Sequence, residues 1–424
     1  MQSYPRVLII GNECLSVSSS NGRTLRNFLI GWPKGNLAQF HIRNTAPDDT
    51  VCDNYFYVSD GDALKAFING KSVNGVKTRD QNIINQATAP VKRKRNAVTM
   101  LIREIIWNSK RWAGAEFEKW LQDFMPEMVR IQAGDCGFML RLAREIAKRY
   151  DIPLIIYNSE GYYFKKKDYF NSGRAAKMFY PVFQRYFCKE FEKTIRFAEK
   201  SIYCCDKLKK DYDACFALPS EVVYTATEIT SEKKKKENNP LKISYLGNLG
   251  VGRHTGLVEI GETLQRISTD LRLDVYGKIP SNQVKESLEQ CAGIVYRGFV
   301  SYEDVVKIIH NSDILVHTES FSDFAKEDLK YAFSTKIADS LASGRCFLVY
   351  APEGMACSEY LKDNKAAYVV ERQADLLPVL EKLCCNPGAR EVYIDNAIKL
   401  VEAQHNGKKN AELFQRILCE SMNK

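Results

Sequence analysis

The sequence predicts two consecutive α/β domains, each a Rossmann-like, doubly wound parallel sheet, that face each other across a cleft. Three observations support this fold class. Strand-like and helix-like segments alternate through residues 1–229, and a polar stretch at 230–240 fits neither periodicity. The alternation then restarts at residue 241. Such alternation is typical of parallel sheets covered on both faces, and 424 residues are too many for one ordinary core.

In the first domain, short apolar runs predict strands at residues 7–11, 39–43, 55–58, 129–132, 154–157, 201–204 and 222–224. Helical periodicity predicts helices at residues 25–30, 97–112, 117–124, 138–149 and 180–200, and one that Asp60-Gly61-Asp62 begins. The serine-rich stretch at 16–22 is predicted to form a loop between the first strand and the first helix. The polar stretch at 230–240 is typical of an interdomain linker.

In the second domain, which we predict to cover residues 241–405, strands are expected at 241–246, 271–276, 294–296, 313–317 and 346–350. Helices are expected at residues 256–267, 282–291 and 302–310. A further helix has clear signals at both ends, because Ser334 is a good N-cap and Gly344 suits the position after the last turn. Residues 406–424 are predicted to form a closing helix, and its return to the first domain is one option.

Composition and charge narrow the classes of function. The thirteen cysteines show no C-x-x-C spacing, which indicates reduced thiols and a cytoplasmic protein rather than a disulfide framework. Five scattered histidines predict no zinc site. The net charge of +9 favours polyanionic partners such as anionic lipid or phosphorylated substrates. No nucleic-acid-binding signature accompanies that charge, so we do not expect nucleic acid as a partner.

The helix after Ser334 is a candidate phosphate site. A capped helix with Ser334, Thr335 and Lys336 at its start offers unpaired amides and a cation to a phosphate or diphosphate. Asp339, one turn further on, is placed to reach a ribose. The alternative is a surface helix in which Lys336 and Asp339 form a weak pair at i,i+3 spacing.

The loop after the first strand of the second domain is another candidate. Its sequence, GNLGVGRH from Gly247 to His254, is nearly a P-loop, but Arg253 replaces the lysine. This difference argues against an ATPase, and the glycine spacing argues against a nicotinamide enzyme. Gly247 and Gly250 permit a ligand to approach the backbone closely, while Arg253 offers a fork for phosphate oxygens. The alternative is an ordinary glycine-rich turn with a solvated arginine.

Several carboxylates follow predicted strands directly. Glu319 is placed to bind sugar or ribose hydroxyls, with a solvated loop glutamate as the alternative. Asp135 and Glu160 occupy strand ends of the first domain that face the expected cleft. Either could bind acceptor or donor hydroxyls, although helix capping explains Asp135 equally well. Three residues of the first loop are candidates for contact with the acceptor or the diphosphate: Ser20, Asn21 and Gly22.

A metal-dependent transferase would need an Asp-x-Asp pair at the end of a strand. Asp211-Tyr212-Asp213 falls in a helical pattern, where side chains at i and i+2 point apart. Asp60-Gly61-Asp62 is predicted to start a helix. Both pairs are therefore expected to be structural, and the sequence predicts no metal site.

Residues 92–112 offer a candidate contact with a membrane surface. They join the run KRKR to the amphipathic helix AVTMLIREIIWNSKRW. A basic flank with tryptophans suits docking on anionic lipid at the inner face of the membrane. The alternative is a helix that packs on the sheet, with a solvated basic loop, through four apolar side chains: Met100, Leu101, Ile105 and Ile106.

Five segments of the second domain, in order, resemble the family 4 retaining glycosyltransferases of the GT-B fold: YLGNLGVGR, LDVYGK, GFVSYED, DILVHTESF and STKIADSLASGRCFLVYAPEG. The resemblance implies that Arg253 and Lys336 hold a donor diphosphate and that the turn at 298–302 lines the base. Glu319 and Asp339 would stand for the family's paired glutamates, but nineteen residues separate them where the family has seven, and the second is an aspartate. The implied donor-binding residues are Gly247, Gly250, Arg253, Gly277, Gly298, Tyr302, Glu319, Ser334, Thr335, Lys336 and Asp339.

The resemblance also implies the reaction. We expect a metal-independent glycosyltransferase with no cofactor, which moves a hexose-type sugar, with retention, from a UDP- or GDP-sugar to a glycan or lipid-linked acceptor in cell-surface polysaccharide or glycolipid assembly. Asp135, Glu160 and Glu319 are the candidate catalytic carboxylates. Two other classes stay open, namely a nucleotide-sugar epimerase or hydrolase of the same fold and a non-catalytic nucleotide- or carbohydrate-binding protein.

Overall fold

The computed structural model describes residues 4–16, 20–72, 95–170, 172–232 and 237–422. The chain divides into two compact units. The first comprises Met1–Tyr224 together with Lys408–Lys424, and the second comprises Thr225–Gly407.

The first unit is built on a seven-stranded sheet in which all paired strands are parallel. Its strands are β1 (Val7–Gly11), β2 (Leu37–His41), β3 (Tyr55–Tyr57), β4 (Met128–Ala133), β5 (Leu154–Asn158), β6 (Lys200–Tyr203) and β7 (Ser220–Val222). Their order is β3-β2-β1-β4-β5-β6-β7. The strands from β1 to β5 are buried along their whole length, as expected for a parallel sheet with helices on both faces.

The helices of this unit are α1 (Ser20–Phe28), α2 (Asp60–Asn69), α3 (Ala97–Asn108), α4 (Ala115–Phe124), α5 (Gly137–Tyr150), α6 (Arg174–Lys177), α7 (Tyr180–Ile195) and α8 (Asp206–Asp213). The helix that closes the chain, Gly407–Glu420, buries Phe414, Ile417 and Leu418 within the first unit. Phe414 stacks on Phe28 of α1 with the ring centroids 5.0 Å apart.

The second unit has a six-stranded sheet, again parallel throughout. Its strands are β8 (Ile243–Leu246), β9 (Leu273–Tyr276), β10 (Ile294–Gly298), β11 (Ile314–Thr318), β12 (Cys346–Tyr350) and β13 (Tyr368–Val370), in the order β10-β9-β8-β11-β12-β13. The helices, in chain order, are α9 (Arg253–Ile267), α10 (Asn282–Gln290), α11 (Tyr302–Asn311), α12 (Asp323–Asp328), α13 (Thr335–Ala342), α14 (Ala356–Asp363), α15 (Leu376–Cys385), α16 (Pro387–Glu391) and α17 (Ile394–Gln404); the closing helix, Gly407–Glu420, is α18.

The predicted fold class of two parallel α/β sheets is confirmed. The structure differs from the predictions in where some helices begin and end. The predicted loop at 16–22 was too long, because α1 already begins at Ser20, so that Asn21 and Gly22 lie in its first turn. Serine, asparagine and glycine are common both in loops and at helix N-termini, so their presence did not show where the helix begins. The helix predicted at 180–200 ends at Ile195.

The described part of the polar stretch at 230–240 is attached to the second unit. Arg345 donates from Nη1 to the carbonyl oxygen of Glu232 at 2.6 Å. Asn238 donates from Nδ2 to Asp313 Oδ2 at 2.8 Å. The passage from one unit to the other falls earlier, between Tyr224 and Thr225. Among the described residues, no helix is long and apolar enough to cross a membrane.

Candidate functional site

The strand order of the second unit marks one point at the carboxyl edge of its sheet. β8 lies between β9 and β11, so the chain leaves β8 and β11 in opposite directions, and ligands of open α/β sheets bind at such a point. The loops that meet there follow Leu246 and Thr318. They approach closely, because a Cβ on Gly252 would lie 2.7 Å from the Oγ of Ser320. Gly252 also has a φ of +76°, which favours glycine.

Arg253, the first residue of α9, forms a buried ion pair with Glu319, which follows β11. Its Nη2 donates to Glu319 Oε1 at 2.9 Å, and its Nε lies 2.8 Å from Oε2. The Glu319 side chain is only 1% exposed. The alternatives of a solvated arginine and a solvated glutamate are therefore wrong. The carboxylate of Glu319 contacts Arg253 in this structure. The prediction that it binds ribose or sugar hydroxyls stays a prediction.

His317 adds a third group to this pair. Its Nε2 lies 3.2 Å from Glu319 Oε1, although the two are not aligned as a hydrogen bond. Burial acts to raise the pKa of Glu319, but the contacts with His317 and Arg253 outweigh it and hold the pKa below its ordinary value. Burial likewise acts to lower the pKa of Arg253, and the charge of Glu319 more than compensates, so that this pKa is raised. Both groups are therefore charged at neutral pH.

Lys336 lies near one member of this group, His317. Lys336 and His317 line one small pocket together with Ser244 and Ser340, among β8, β11, α11 and α13. Ser334 caps α13 as predicted, because its Oγ accepts from the backbone N–H of Lys336 at 3.3 Å. The start of α13 therefore brings Lys336 and the amides of its first turn to a pocket that His317, the neighbour of Glu319, also lines. Thr335 is the first residue of this helix.

Asp339 does not point toward an open site. It is 3% exposed, and its Oδ1 accepts from the hydroxyl of Thr227 at 2.7 Å. This contact joins α13 to the first residues of the second unit. The prediction that Asp339 binds a ribose stays a prediction, and the geometry adds a structural role for its carboxylate.

The remaining predicted donor residues lie at or after the carboxyl ends of β8, β9 and β10. Gly247 and Gly277 are needed for packing, because a Cβ on Gly277 would lie 2.2 Å from the carbonyl oxygen of Gly247. Gly250 donates from its backbone N–H to the side chain of Asn248 at 2.8 Å. Gly298 ends β10 with a φ of +87°. Tyr302 begins α11 and is exposed.

In the first unit, the equivalent point of the sheet lies between β1 and β4, and Asp135 follows β4 there. Its carboxylate is buried, forms an ion pair with Arg95 and accepts from the hydroxyl of Tyr169 at 3.1 Å. Asp135 does not cap α5, because Cys136 holds the N-cap position, and the Cys136 side chain accepts no hydrogen bond from the first turn of the helix. The capping alternative is therefore wrong.

Glu160 follows β5, the neighbour of β4, and is half-buried. It lies close enough to Tyr162 to add to the effect of burial, which raises the pKa of that tyrosine well above its ordinary value. Asn21 is exposed at the start of α1, and Gly22 is buried beside it. The side chain of Ser20 lies outside the described part of the structure, as do residues 92–94 of the basic run.

The two Asp-x-Asp candidates have structural contacts. Asp213 ends α8, pairs with Lys209 and accepts from the hydroxyl of Ser220 at 2.7 Å. Asp60 accepts from the indole N–H of Trp107 at 2.8 Å, and Asp62 completes a capping box at the start of α2. Within the described ranges, no group of three or more His, Cys, Asp or Glu side chains is placed to hold a metal ion.

Two residues that shape these sites were not predicted from the sequence. His317 stands two positions before Glu319, and residues two apart on a strand share a face, so strand alternation was a usable signal. Glu104 lies on the buried face of α3 and accepts from the backbone N–H of Gly137, the first residue of α5, at 2.7 Å. An acidic residue on the apolar face of a predicted helix was the signal there.

Comparison with known proteins supports the resemblance seen in the sequence. Residues 257–416 match a family model described as glycosyl transferase-like. The match covers most of the second unit and less than half of the chain. No curated protein sequence matches the chain. The second unit therefore carries a glycosyl transferase-like domain, and the expected resemblance is confirmed for that part of the sequence.

Solved structures are similar to almost the whole chain. HepE of Anabaena in complex with UDP aligns with a TM-score of 0.67 at 9% identity, over 98% of this chain and 100% of that one. HepE with UDP-glucose aligns with a TM-score of 0.62 at 9% identity, over 98% and 99%. Sucrose-phosphate synthase of Thermosynechococcus elongatus aligns with a TM-score of 0.62 at 11% identity, over 98% and 99%. At these identities the likeness concerns the fold alone, and the predicted GT-B fold is confirmed.

Proposed function

We propose that this chain is a glycosyltransferase that moves a hexose-type sugar from a UDP- or GDP-sugar to a hydroxyl group of a glycan or lipid-linked acceptor, with retention and without a metal ion. One observation carries the proposal. Arg253, Glu319 and His317 form a buried cluster at the carboxyl edge of a parallel sheet, and Lys336 lines a pocket with His317, in a unit that matches a glycosyl transferase-like model. HepE structures hold UDP and UDP-glucose, so a UDP-sugar is the first donor to test.

In this proposal the donor diphosphate binds between Arg253 and the start of α13. Lys336 and the first-turn amides of α13 supply positive charge and hydrogen-bond donors. When the bond between the anomeric carbon and the diphosphate oxygen breaks, negative charge grows on that oxygen. Hydrogen-bond donors that are already in place stabilise this charge, and such stabilisation is usually the largest contribution to the rate enhancement. Glu319 contributes by orienting the guanidinium of Arg253.

The proposal assigns the acceptor side to the first unit. Asp135 and Glu160 end neighbouring strands, and carboxylates bind sugar hydroxyls well. Asp135 is held in place by Arg95 and Tyr169, so its orientation is fixed before any substrate arrives. We propose these two carboxylates as contacts for acceptor or donor-sugar hydroxyls.

The test combines nucleotide binding and turnover. Thermal shifts of the full chain with UDP, GDP, ADP and dTDP identify the base, and release of nucleotide from the matching sugar measures turnover. Lys336→Ala and Arg253→Ala should each lower turnover by at least ~10²-fold, in line with the loss of one charge-stabilising donor. Lys285→Ala is the matched control, because Lys285 is an exposed lysine of the same unit that pairs only weakly with Glu289.

Three outcomes would contradict the proposal. Normal nucleotide release by both variants would remove the phosphate site. Release of nucleotide or altered sugar at full rate without an acceptor would favour a hydrolase or epimerase. A clear thermal shift with no turnover on any acceptor would favour a non-catalytic binding protein.

A further inference from the structure

Five exposed apolar side chains lie on adjoining elements of the first unit. The described residues contain thirteen exposed large apolar side chains, and these five are Ile102, Ile105, Met178, Phe179 and Val182. The first two lie on α3, and the others lie at the end of α6 and the start of α7. α3 contacts both α6 and α7. Asn108 of α3 also donates to the hydroxyl of Tyr186 of α7 at 2.7 Å, which fixes the two helices side by side.

The exposure of these side chains is large. It amounts to 79% for Met178, 49% for Phe179 and 53% for Val182, and to 48% for Ile102 and 62% for Ile105. α3 already buries a separate face against the core, so its two isoleucines are not needed there. Single exposed apolar residues are ordinary, but several on adjoining helices indicate an interaction surface.

The same segment is strongly basic. Residues 165–189 contain seven lysines and arginines and one acidic residue, Asp168. The carboxylate of Asp168 is buried and accepts from the backbone N–H groups of Phe170 and Ser172, so it does not offset the surface charge. Four of the cations are exposed beside the apolar residues of α6 and α7: Arg174, Lys177, Arg185 and Lys189.

We propose that these nine residues form a docking patch for the surface of an anionic lipid bilayer. The apolar side chains would enter the interface between headgroups and acyl chains, while the four cations contact lipid phosphates. The charge favours an anionic surface, because the four exposed cations are accompanied by no exposed acidic residue within residues 165–189. The proposal goes beyond the proposed function, since docking requires no catalytic activity.

The test is sedimentation of the full chain with vesicles, without any substrate. We expect binding to vesicles of phosphatidylcholine mixed with phosphatidylglycerol, weaker binding to phosphatidylcholine alone, and a loss of the difference at high salt. The double variant Met178→Glu/Phe179→Glu should lower the partition coefficient by at least ~10-fold, because it removes the inserted apolar groups. The double variant Arg185→Glu/Lys189→Glu should lower the partition coefficient on the mixed vesicles by about 10-fold or more, because it removes two cations that contact lipid phosphates.

Val392→Glu is the matched control, because Val392 is an equally exposed apolar residue of the second unit. It should bind vesicles as the unaltered chain does. Circular dichroism and the thermal midpoint establish that each variant is folded. The proposal is overturned if the unaltered chain ignores both kinds of vesicle, if it binds both equally, or if the patch variants bind normally. A dimer that the Met178→Glu/Phe179→Glu variant abolishes, without vesicle binding, would assign the patch to a second copy of the chain.

Discussion

At the scale of single residues, the Arg253–Glu319 pair links the stability of the second unit to its candidate site. Glu319 is nearly inaccessible to water, and its carboxylate faces both Arg253 and His317. Removing one member of a buried pair leaves the other charge uncompensated, which costs more than the pair itself contributes. The same contact fixes the direction of the guanidinium that we assign to the diphosphate.

Glu319→Gln should therefore lower the free energy of unfolding at neutral pH by roughly 3 kcal/mol. The folded-state pKa of Glu319 lies below its ordinary value of 4.5, so this contribution is present above pH 4.5. It is lost as the pH falls through the folded pKa. Urea unfolding at neutral and acidic pH measures the effect, and the difference between the two proteins should shrink on acidification.

Glu289→Gln provides the control for this prediction. Glu289 pairs with Lys285 at 3.7 Å, but both side chains are about half exposed. Such pairs contribute about 0–1 kcal/mol. Equal stability of Glu319→Gln and the unaltered chain at neutral pH would show that the buried pair contributes nothing net.

At the scale of elements, the start of α5 depends on a residue of another helix. No side chain of its own N-cap residue, Cys136, satisfies its first amides. Glu104 of α3 accepts from Gly137 N–H instead, and its second carboxylate oxygen is buried without a hydrogen-bond partner. Burial raises the pKa of Glu104 from 4.5 to about 7. The folded chain therefore retains a proton that the unfolded chain releases at lower pH.

This shift has a definite sign in stability. At this carboxyl group, between about pH 4.5 and pH 7, the unfolded state binds fewer protons than the folded state, so the contribution of Glu104 to the free energy of unfolding should decline as the pH rises. Glu104→Gln keeps an acceptor for Gly137 and should remove this decline. Unfolding by urea across that pH range is the measurement. Glu118→Gln on α4, where the carboxylate is partly exposed, should leave the decline unchanged; a decline that persists in Glu104→Gln would contradict the assignment.

The elements also show what the sequence can and cannot predict. The strand Cys346–Tyr350 and the N-cap at Ser334 follow from local signals, and both are confirmed at the predicted residues. The pairing of Arg253 with Glu319 joins residues 66 positions apart, and that of Glu104 with Gly137 spans 33. Such contacts depend on how α9 packs on β11 and α3 on α5, which periodicity does not encode. The sequence shows the residues themselves, but it does not show which of them pair.

At the scale of the whole molecule, the last helix completes the first unit. α18 buries Phe414 against Phe28, and Gln415 donates from Nε2 to the carbonyl oxygen of Ile30 at 2.9 Å. The guanidinium of Arg130, buried in β4 without a hydrogen-bond partner, lies 5.7 Å from the Phe414 ring and 4.8 Å from that of Tyr157. Residues from both ends of the sequence therefore share one core, and the stability of the first unit depends on the end of the chain.

Phe414→Ala should lower the free energy of unfolding of the first unit by about 3–5 kcal/mol, because it leaves a cavity beside Phe28 and removes an aromatic face from Arg130. Tryptophan fluorescence reports this unit selectively, since all four tryptophans lie in it: Trp32, Trp107, Trp112 and Trp120. The urea midpoint of the fluorescence transition should fall accordingly. Arg416→Ala, on the exposed side of the same helix, should leave it nearly unchanged because the pair with Glu420 is exposed. An unchanged midpoint in Phe414→Ala would mean that the first unit reaches its stability without α18, although three of its fully buried apolar side chains come from that helix.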